Sequence, residues 1–402
     1  MSERPVRLVV SDDLRRSRVT VAFRLLLAIP HLFWLSLWSY GIGFTSIAQW
    51  AITLVRGRPA GPLQSFHVAF VRYLTHLGAY LTIAANPFPG FLGEPGYPVD
   101  VELDPAPRQG RLGVAFRLLL ALPALLMLSV LVGIPFLTVG IVGAVAFLGW
   151  FAALVRGSMP LGLRNLAAYG VRYAAEVYAY LLFVTPTYPS SDPTLPDRAG
   201  RAPMLPIRLV VDDDRRRSRL TTFFRLFLAV PHIVWLFLWA VLASLAAIVQ
   251  WLVTLVRGRP AMPLFRFLAA YVRYQTHLGA YVWLVGNPFP GFVGARGYPI
   301  DVEIDASGRQ SRWVTGFRLL LALPAFILNS ALNSLLLTVG VAGWFAALAI
   351  GRMPLGLRNA GVHALHYNAQ VNAYALLLTD RYPFSGPPVE EPVAPTLFDA
   401  WA

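Results

Sequence analysis

Four stretches of this chain stay free of charge for longer than a bilayer is thick. Residues 25 to 55, 118 to 155, 226 to 256 and 319 to 351 contain no Asp, Glu, Lys or Arg, and each exceeds the roughly 20 apolar residues that a helix needs to cross the hydrocarbon core. Of 402 residues, 56% are hydrophobic and only 13% charged, so too little polar surface remains to cover four such helices in water. The sequence therefore reads as a mainly α integral membrane protein. Its opening, Met1-Ser2-Glu3-Arg4-Pro5, does not lead into a signal-peptide apolar region, and the first run is expected to stay as an anchor.

The runs are copies of one another. Phe23-Arg24-Leu25-Leu26-Leu27-Ala28-Ile29-Pro30-His31 returns at 116 to 123, at 224 to 232 and at 317 to 324, with arginine and proline at fixed offsets. Such repetition has to be settled before the fold. A longer echo is displaced by 201 residues: Pro206-Ile207-Arg208-Leu209-Val210-Val211 repeats residues 5 to 10, and Asn287-Pro288-Phe289-Pro290-Gly291 repeats 86 to 90. The chain divides into a first half at 1–194, with modules at 4–96 and 97–189, and a second half at 205–385, with modules at 205–297 and 298–385. A polar linker at 195–204 separates them, and an acidic, proline-rich tail at 386–402 reads as disordered.

Each module begins with a strand-like segment, clearest at Val99-Asp100-Val101-Glu102-Leu103, where apolar residues and carboxylates alternate. The run from Leu25 to Val55 is 31 residues, about 46 Å as a helix. A helical hairpin, turning at Ser39-Tyr40-Gly41-Ile42-Gly43, accommodates that length and leaves the arginines on one side of the membrane. A third segment, Leu63 to Ala85 in the first module, carries Arg72 and His76 four apart on one face and reads as an amphipathic helix at the interface. The fold expected is thus repeated helical hairpins with amphipathic interfacial helices and short extramembrane β-strands.

The chain lacks cysteine and lysine, and its 34 basic residues outnumber 20 acidic ones. Disulfides and thiolate chemistry are excluded. In a membrane protein the arginine excess points to anionic lipid head groups rather than nucleic acid. Arg24, Arg117, Arg225 and Arg318 sit just inside the apolar boundary, and Arg72, Arg172 and Arg273 on the third helices. These seven are the residues expected to contact lipid phosphate or another anion, or to form structural pairs. Arg172 and Glu176 are an i,i+4 pair. His363 and His366, three apart, have no neighbouring carboxylate or thiolate to complete a metal site, and no catalytic, cofactor-binding or metal residues are expected.

The second and fourth runs end in Trp150-Phe151-Ala152-Ala153-Leu154 and Trp344-Phe345-Ala346-Ala347-Leu348, followed by Met-Pro-Leu-Gly-Leu-Arg-Asn at 159 to 165 and 353 to 359. With Phe23 to His31, Arg56-Gly57-Arg58-Pro59 and Tyr374 to Pro383, these segments resemble the bacterial, especially actinobacterial, membrane family called domain of unknown function 4389. The resemblance covers essentially all four modules, although the second and fourth lack the histidine after the proline and His366 replaces the recurring arginine. It implies a multipass protein of the bacterial inner (plasma) membrane and supplies no activity or site residue.

Function is read as a non-enzymatic scaffold or accessory protein whose arginine-rich cytoplasmic face binds anionic lipid, another membrane protein or a second copy. A transporter or channel for a small or anionic solute is the alternative. A membrane enzyme acting on lipid ranks behind both.

Overall fold

A computed structural model describes residues 5–104, 108–134, 138–200, 203–305 and 308–390. They fall into two units, Met1–Ala202 with Gly386–Ala402, and Pro203–Ser385.

In the first unit, β1 (Val6–Val10) leads through α1 (Arg18–Ala22) and α2 (Arg24–Leu27) into the long α3 (Ile29–Arg56), and α4 (Gly61–Leu81) returns along it. The second module follows with β2 (Val99–Leu103), α5 (Arg111–Ala115), α6 (Arg117–Leu131), β3 (Gly133–Ile134), β4 (Thr138–Val139), α7 (Ile141–Arg156) and α8 (Leu161–Leu181). The second unit repeats the plan with β5 (Ile207–Val211), α9 (Arg219–Arg257), α10 (Met262–Val282), β6 (Ile300–Ile304), α11 (Arg312–Gly316), α12 (Arg318–Ile350) and α13 (Leu355–Ala375).

The expected turn at Ser39 to Gly43 is absent, because α3 runs straight through it. Two glycines in an apolar run cost a helix about 1 kcal/mol each. Breaking the helix would strand backbone groups that lipid cannot satisfy. The first, third and fourth apolar runs are therefore each a single helical rod, and Arg24 is separated from Arg56 by one 33 residues long. Only the second run is interrupted, where Gly133 takes φ 95° and β3 pairs with β4; Pro135 lies outside the described residues. That interruption is a bulge rather than a reversal. Arg117 lies by Tyr180, Tyr173 by Ala124 and Val142 by Gly170, so α6 and α7 continue along α8 in one sense.

The prolines do not end the helices either. Pro30 sits in the first turn of α3, where its missing N–H costs nothing, while Pro123, Pro231 and Pro324 lie inside α6, α9 and α12.

Burial is inverted relative to a water-soluble bundle. α3 buries only the stripe His31, Trp38, Ile42, Gln49 and Thr53, and the rest of its surface is half-buried or exposed and mostly apolar, with Phe44 at 77%. Among the described residues three helical segments, Arg24–Arg56, Arg219–Arg257 and Arg318–Ile350, are long and apolar enough to cross a membrane. With four repeated modules they make this a multipass membrane protein.

The third helix of each module lies inside its unit. α8, which packs along α4, buries Arg164, Arg172, Glu176 and most of its other residues. The arginines that amphipathicity alone aimed at head groups turn instead to partners within the protein. The strands pair in two antiparallel ribbons, β1 with β2 from Val6↔Leu103 to Val10↔Val99, and β5 with β6 from Ile207↔Ile304 to Val211↔Ile300. Val6, Leu8, Val99 and Val101 face inward, and Arg7 pairs outward with Glu102 and Asp104. The acidic tail lies outside the described residues from 391; before that, Leu195 and Val389 form a parallel bridge in the first unit.

Gly43 separates the two topologies experimentally. A Cβ there meets nothing within 4 Å, so Gly43→Ala is expected to leave the thermal unfolding midpoint in detergent unchanged or raise it, by up to about 1 kcal/mol of helix propensity. Gly93→Ala is the control. With φ +67° and a Cβ that would lie 2.2 Å from the Ala69 carbonyl, it should lower the midpoint by several degrees.

Candidate functional site

Four helix C-termini are capped by four buried arginines. α4 ends at Leu81, and Ile83 then takes the left-handed conformation, φ 60°, which is strained for a β-branched residue. The last carbonyls converge there with no helical partner. Arg24 reaches them from the start of the long helix, Nη1 donating to the Tyr80 carbonyl at 2.5 Å and the Ala85 carbonyl at 2.9 Å. Its guanidinium lies 4.3 Å from the centroid of the Tyr80 ring.

The other modules repeat this. Arg117 donates to the Tyr180 and Thr185 carbonyls, Arg225 to Tyr281 and Gly286, and Arg318 to Tyr374 and Thr379, each over the tyrosine ring. Phe183, Leu284 and Leu377 are left-handed like Ile83. A cation at a helix C-terminus is favoured by the helix dipole, and the guanidinium fork serves two carbonyls at once.

Eight residues before each arginine sits a second clamp. In the first module Arg16 donates Nε to the Ile83 carbonyl and Nη2 to the Ala84 carbonyl, and its charge is matched by Asp12 at 2.7 Å. Arg217 and Asp213 do the same at Leu284 and Val285. In the second and fourth modules a neutral glutamine does this work. Gln109 donates to the Phe183 carbonyl and accepts from Arg117, and Gln310 donates to Leu377 and accepts from Arg318. Residue-type reasoning passed over Arg16, Arg217, Gln109 and Gln310, although their constant offset from the repeated arginine was a usable signal.

The recurring basic residue midway along the inner helix binds a ribbon or a loop. Arg72 donates to the Val101 carbonyl and pairs with Asp100 at 3.3 Å; Arg273 does so with Val302 and with Asp301 at 3.4 Å. Arg172 donates to the Asp192 carbonyl and pairs with Glu176 at 3.4 Å. His366, in the same place, donates to the Ile207 carbonyl at 2.9 Å. All seven arginines singled out by sequence thus have partners inside the protein. His76 lies 2.8 Å from Asp100 and His277 2.9 Å from Asp301. Burial alone would raise Asp100, but hydrogen bonds from His76 and from the Gly96 and Val101 N–H groups outweigh it and hold the carboxyl below its ordinary value.

The arginines left facing outward gather where a helix end meets the neighbouring module. α3 stops at left-handed Gly57, whose carbonyl accepts from the Gln109 N–H, while Arg111 caps the Val55 carbonyl at 3.1 Å. Exposed Arg56, Arg58, Arg108 and Arg111 therefore form one collar. α7 stops at Gly157, bonded to the Arg16 N–H, and Arg18 caps Val155, bringing exposed Arg15, Arg18 and Arg156 together. In the second unit Arg257, Arg259, Arg309 and Arg312 form the first kind of collar, and Arg216, Arg219 and Arg352 the second. Val55, Val155, Val256 and Ile350 are exposed beside them.

Among the described residues no cluster of three or more His, Asp or Glu is placed to hold a metal ion. His363 has a buried Nε2 without a hydrogen-bond partner. The chemistry on offer is charge presented beside apolar surface.

Two outcomes test the internal network. Arg24→Leu leaves two carbonyls without a charged donor and should cost about 3 kcal/mol or more, read as a lower unfolding midpoint, with Arg24→Lys intermediate because one ammonium lacks the fork. Burial also lowers His67, His277, His363 and His366, His363 to about 3. Below an unfolded value of about 6.5 the unfolded chain binds more protons than the folded one. Stability should therefore decline as the pH falls from 7 towards 4, and His363→Gln should flatten the decline.

A family model described as domain of unknown function (DUF4389) matches residues 18–92, 111–191, 219–293 and 312–386. No curated protein and no solved structure gives a significant match.

Proposed function

We propose a role for a chain that belongs to the DUF4389 family and carries its domain four times: it is a non-enzymatic membrane scaffold or accessory protein whose arginine collars hold anionic lipid. The observation that carries this reading is the sorting of the arginines. Those on the inner helices and at the starts of the apolar runs are spent on carbonyls and carboxylates. Those in the collars stand exposed beside exposed aliphatic side chains at helix ends. An arginine in that position reaches phosphate while its stem stays in apolar surroundings. We assign the protein to the bacterial plasma membrane. Each long helix carries a collar at both ends, so we place one of the two at the cytoplasmic head groups, which the positive-inside tendency favours for arginine, and an acidic membrane protein or a second copy is the further partner such collars suit.

Arg56, Arg58 and Arg108 test the assignment because the fold does not use their side chains for a described hydrogen bond. The triple glutamine variant, purified in detergent with mixed lipids, should retain several-fold less phosphatidylglycerol by native mass spectrometry while its unfolding midpoint is unchanged. Equal retention would sink the proposal. Solute flux in proteoliposomes would favour transport instead, and lipid turnover an enzyme.

A further inference from the structure

Each unit places charge and lipid-facing surface at the same level along its helices. In the first, Tyr73 of α4 meets His31 and Trp38 of α3, while the adjacent Arg72 holds the ribbon through Val101. The ribbon and the apolar helix thus flank α4 on different faces, at a level about a third of the way along the apolar run rather than at its end. On the ribbon Arg7 and Glu102 form an outward ion pair with side chains 44% and 60% exposed. The second unit repeats the arrangement: Tyr274 meets His232 and Trp239, Arg273 holds Val302, and Arg208 pairs with Glu303 at 53% and 55% exposure. Beside that pair an open groove is lined by Asp212, Arg296, Tyr298 and Asp305. Carboxylates and guanidinium groups so exposed need water.

Were α3 upright, the ribbon would sit at the depth of the hydrocarbon. We infer that the long helices cross obliquely, tilted by about 50° from the membrane normal, with the ribbon side of each unit raised to the aqueous interface. The length of the run sets that angle, and the position of the ribbon fits it. The charge-free part of α3 is about 46 Å long against a core of about 30 Å, which fits between the two interfaces only at about 50°, beyond the usual range of roughly 0–40°. Helix–helix and helix–sheet spacings of about 10 Å each put the ribbon charges some 15–20 Å from the α3 axis. The same tilt lifts them by about 12–15 Å, close to the half-thickness of the core. It also brings the collars at the two ends of α3 to the two head-group layers. The interaction surface is the face of each unit that carries the long helix, and the partner it fits is a bilayer met on the slant.

The absence of cysteine makes the test direct and independent of which lipid the collars select. Spin labels on single cysteines at the exposed positions Phe33, Leu37, Phe44 and Ile47 of α3, and at Glu102 and Glu303 on the ribbons, are read for depth by oxygen against a nickel chelate, in vesicles of phosphatidylcholine and phosphatidylglycerol. The expected result is a depth change of about 1 Å per residue along α3, from the 1.5 Å rise and the tilt, with both ribbon labels in water. A change near 1.5 Å per residue, ribbon labels in hydrocarbon, or no gradient along α3 would each overturn the inference.

Discussion

The structure depends on a buried guanidinium fork closing the C-terminus of a helix. Each inner helix ends with carbonyls converging on a left-handed residue other than glycine, inside a unit where water is scarce. Unsatisfied, those carbonyls would cost more than the turn is worth. The arginine that opens each apolar run supplies the missing donors and lays its charge against a tyrosine ring and the negative end of the helix dipole. One contact therefore fixes the angle at which the long helix leaves the interior and terminates the inner one. The register that this clamp begins is continued along α3 by His31 on Tyr73, Thr45 on His67 and Gln49 accepting from the Ala60 N–H.

That contact accounts for the inverted layering. The apolar helices bury unequal stripes, five residues in α3 and twelve in α12, and leave much of the rest exposed, so in α3 hydrophobic burial between protein elements is a small part of what holds the helix. The inner helices carry the polar groups, and polar partners hold them: Arg72 and Arg273 on strand carbonyls, His76 and His277 on aspartates, Thr45 on His67. In a membrane, where lipid tails are as apolar as leucine, interactions of this kind specify packing.

Periodicity and composition made the repeats, the membrane class and the strand at 99 to 103 legible, because alternation and long charge-free runs are local properties. The turn at Gly41 and Gly43 was misread because glycine signals a break only when the backbone gains somewhere to place its hydrogen bonds. In the second module, where Gly133 can take a positive φ and a small ribbon forms, it does mark one. The arginines were the harder case. Their residue type and depth say that each needs a carboxylate, phosphate or carbonyl; which one is set by the fold, across 56 residues of sequence from Arg24 to Tyr80 and 29 from Arg72 to Val101. The substitution of Arg16 by Gln109 at the same offset is informative in hindsight: where a neutral side chain serves, the position faces carbonyls, whereas a phosphate site would keep its charge.

The collars explain why the chain doubles in steps of two modules. The start of the first module closes the end of the second module's long helix, through the Arg16 N–H on Gly157 and Arg18 on Val155. The start of the second closes the end of the first's, through Gln109 on Gly57 and Arg111 on Val55. A lone module would leave the C-terminus of its long helix uncapped and the capping arginine at its own start, Arg18 or Arg111, without the carbonyl it serves. A pair satisfies both, and the second unit closes itself in the same reciprocal way through Arg217 on Gly351 and Gln310 on Gly258. The displacement of 201 residues between matching segments is thus the length of the smallest piece in which every long helix has its ends capped.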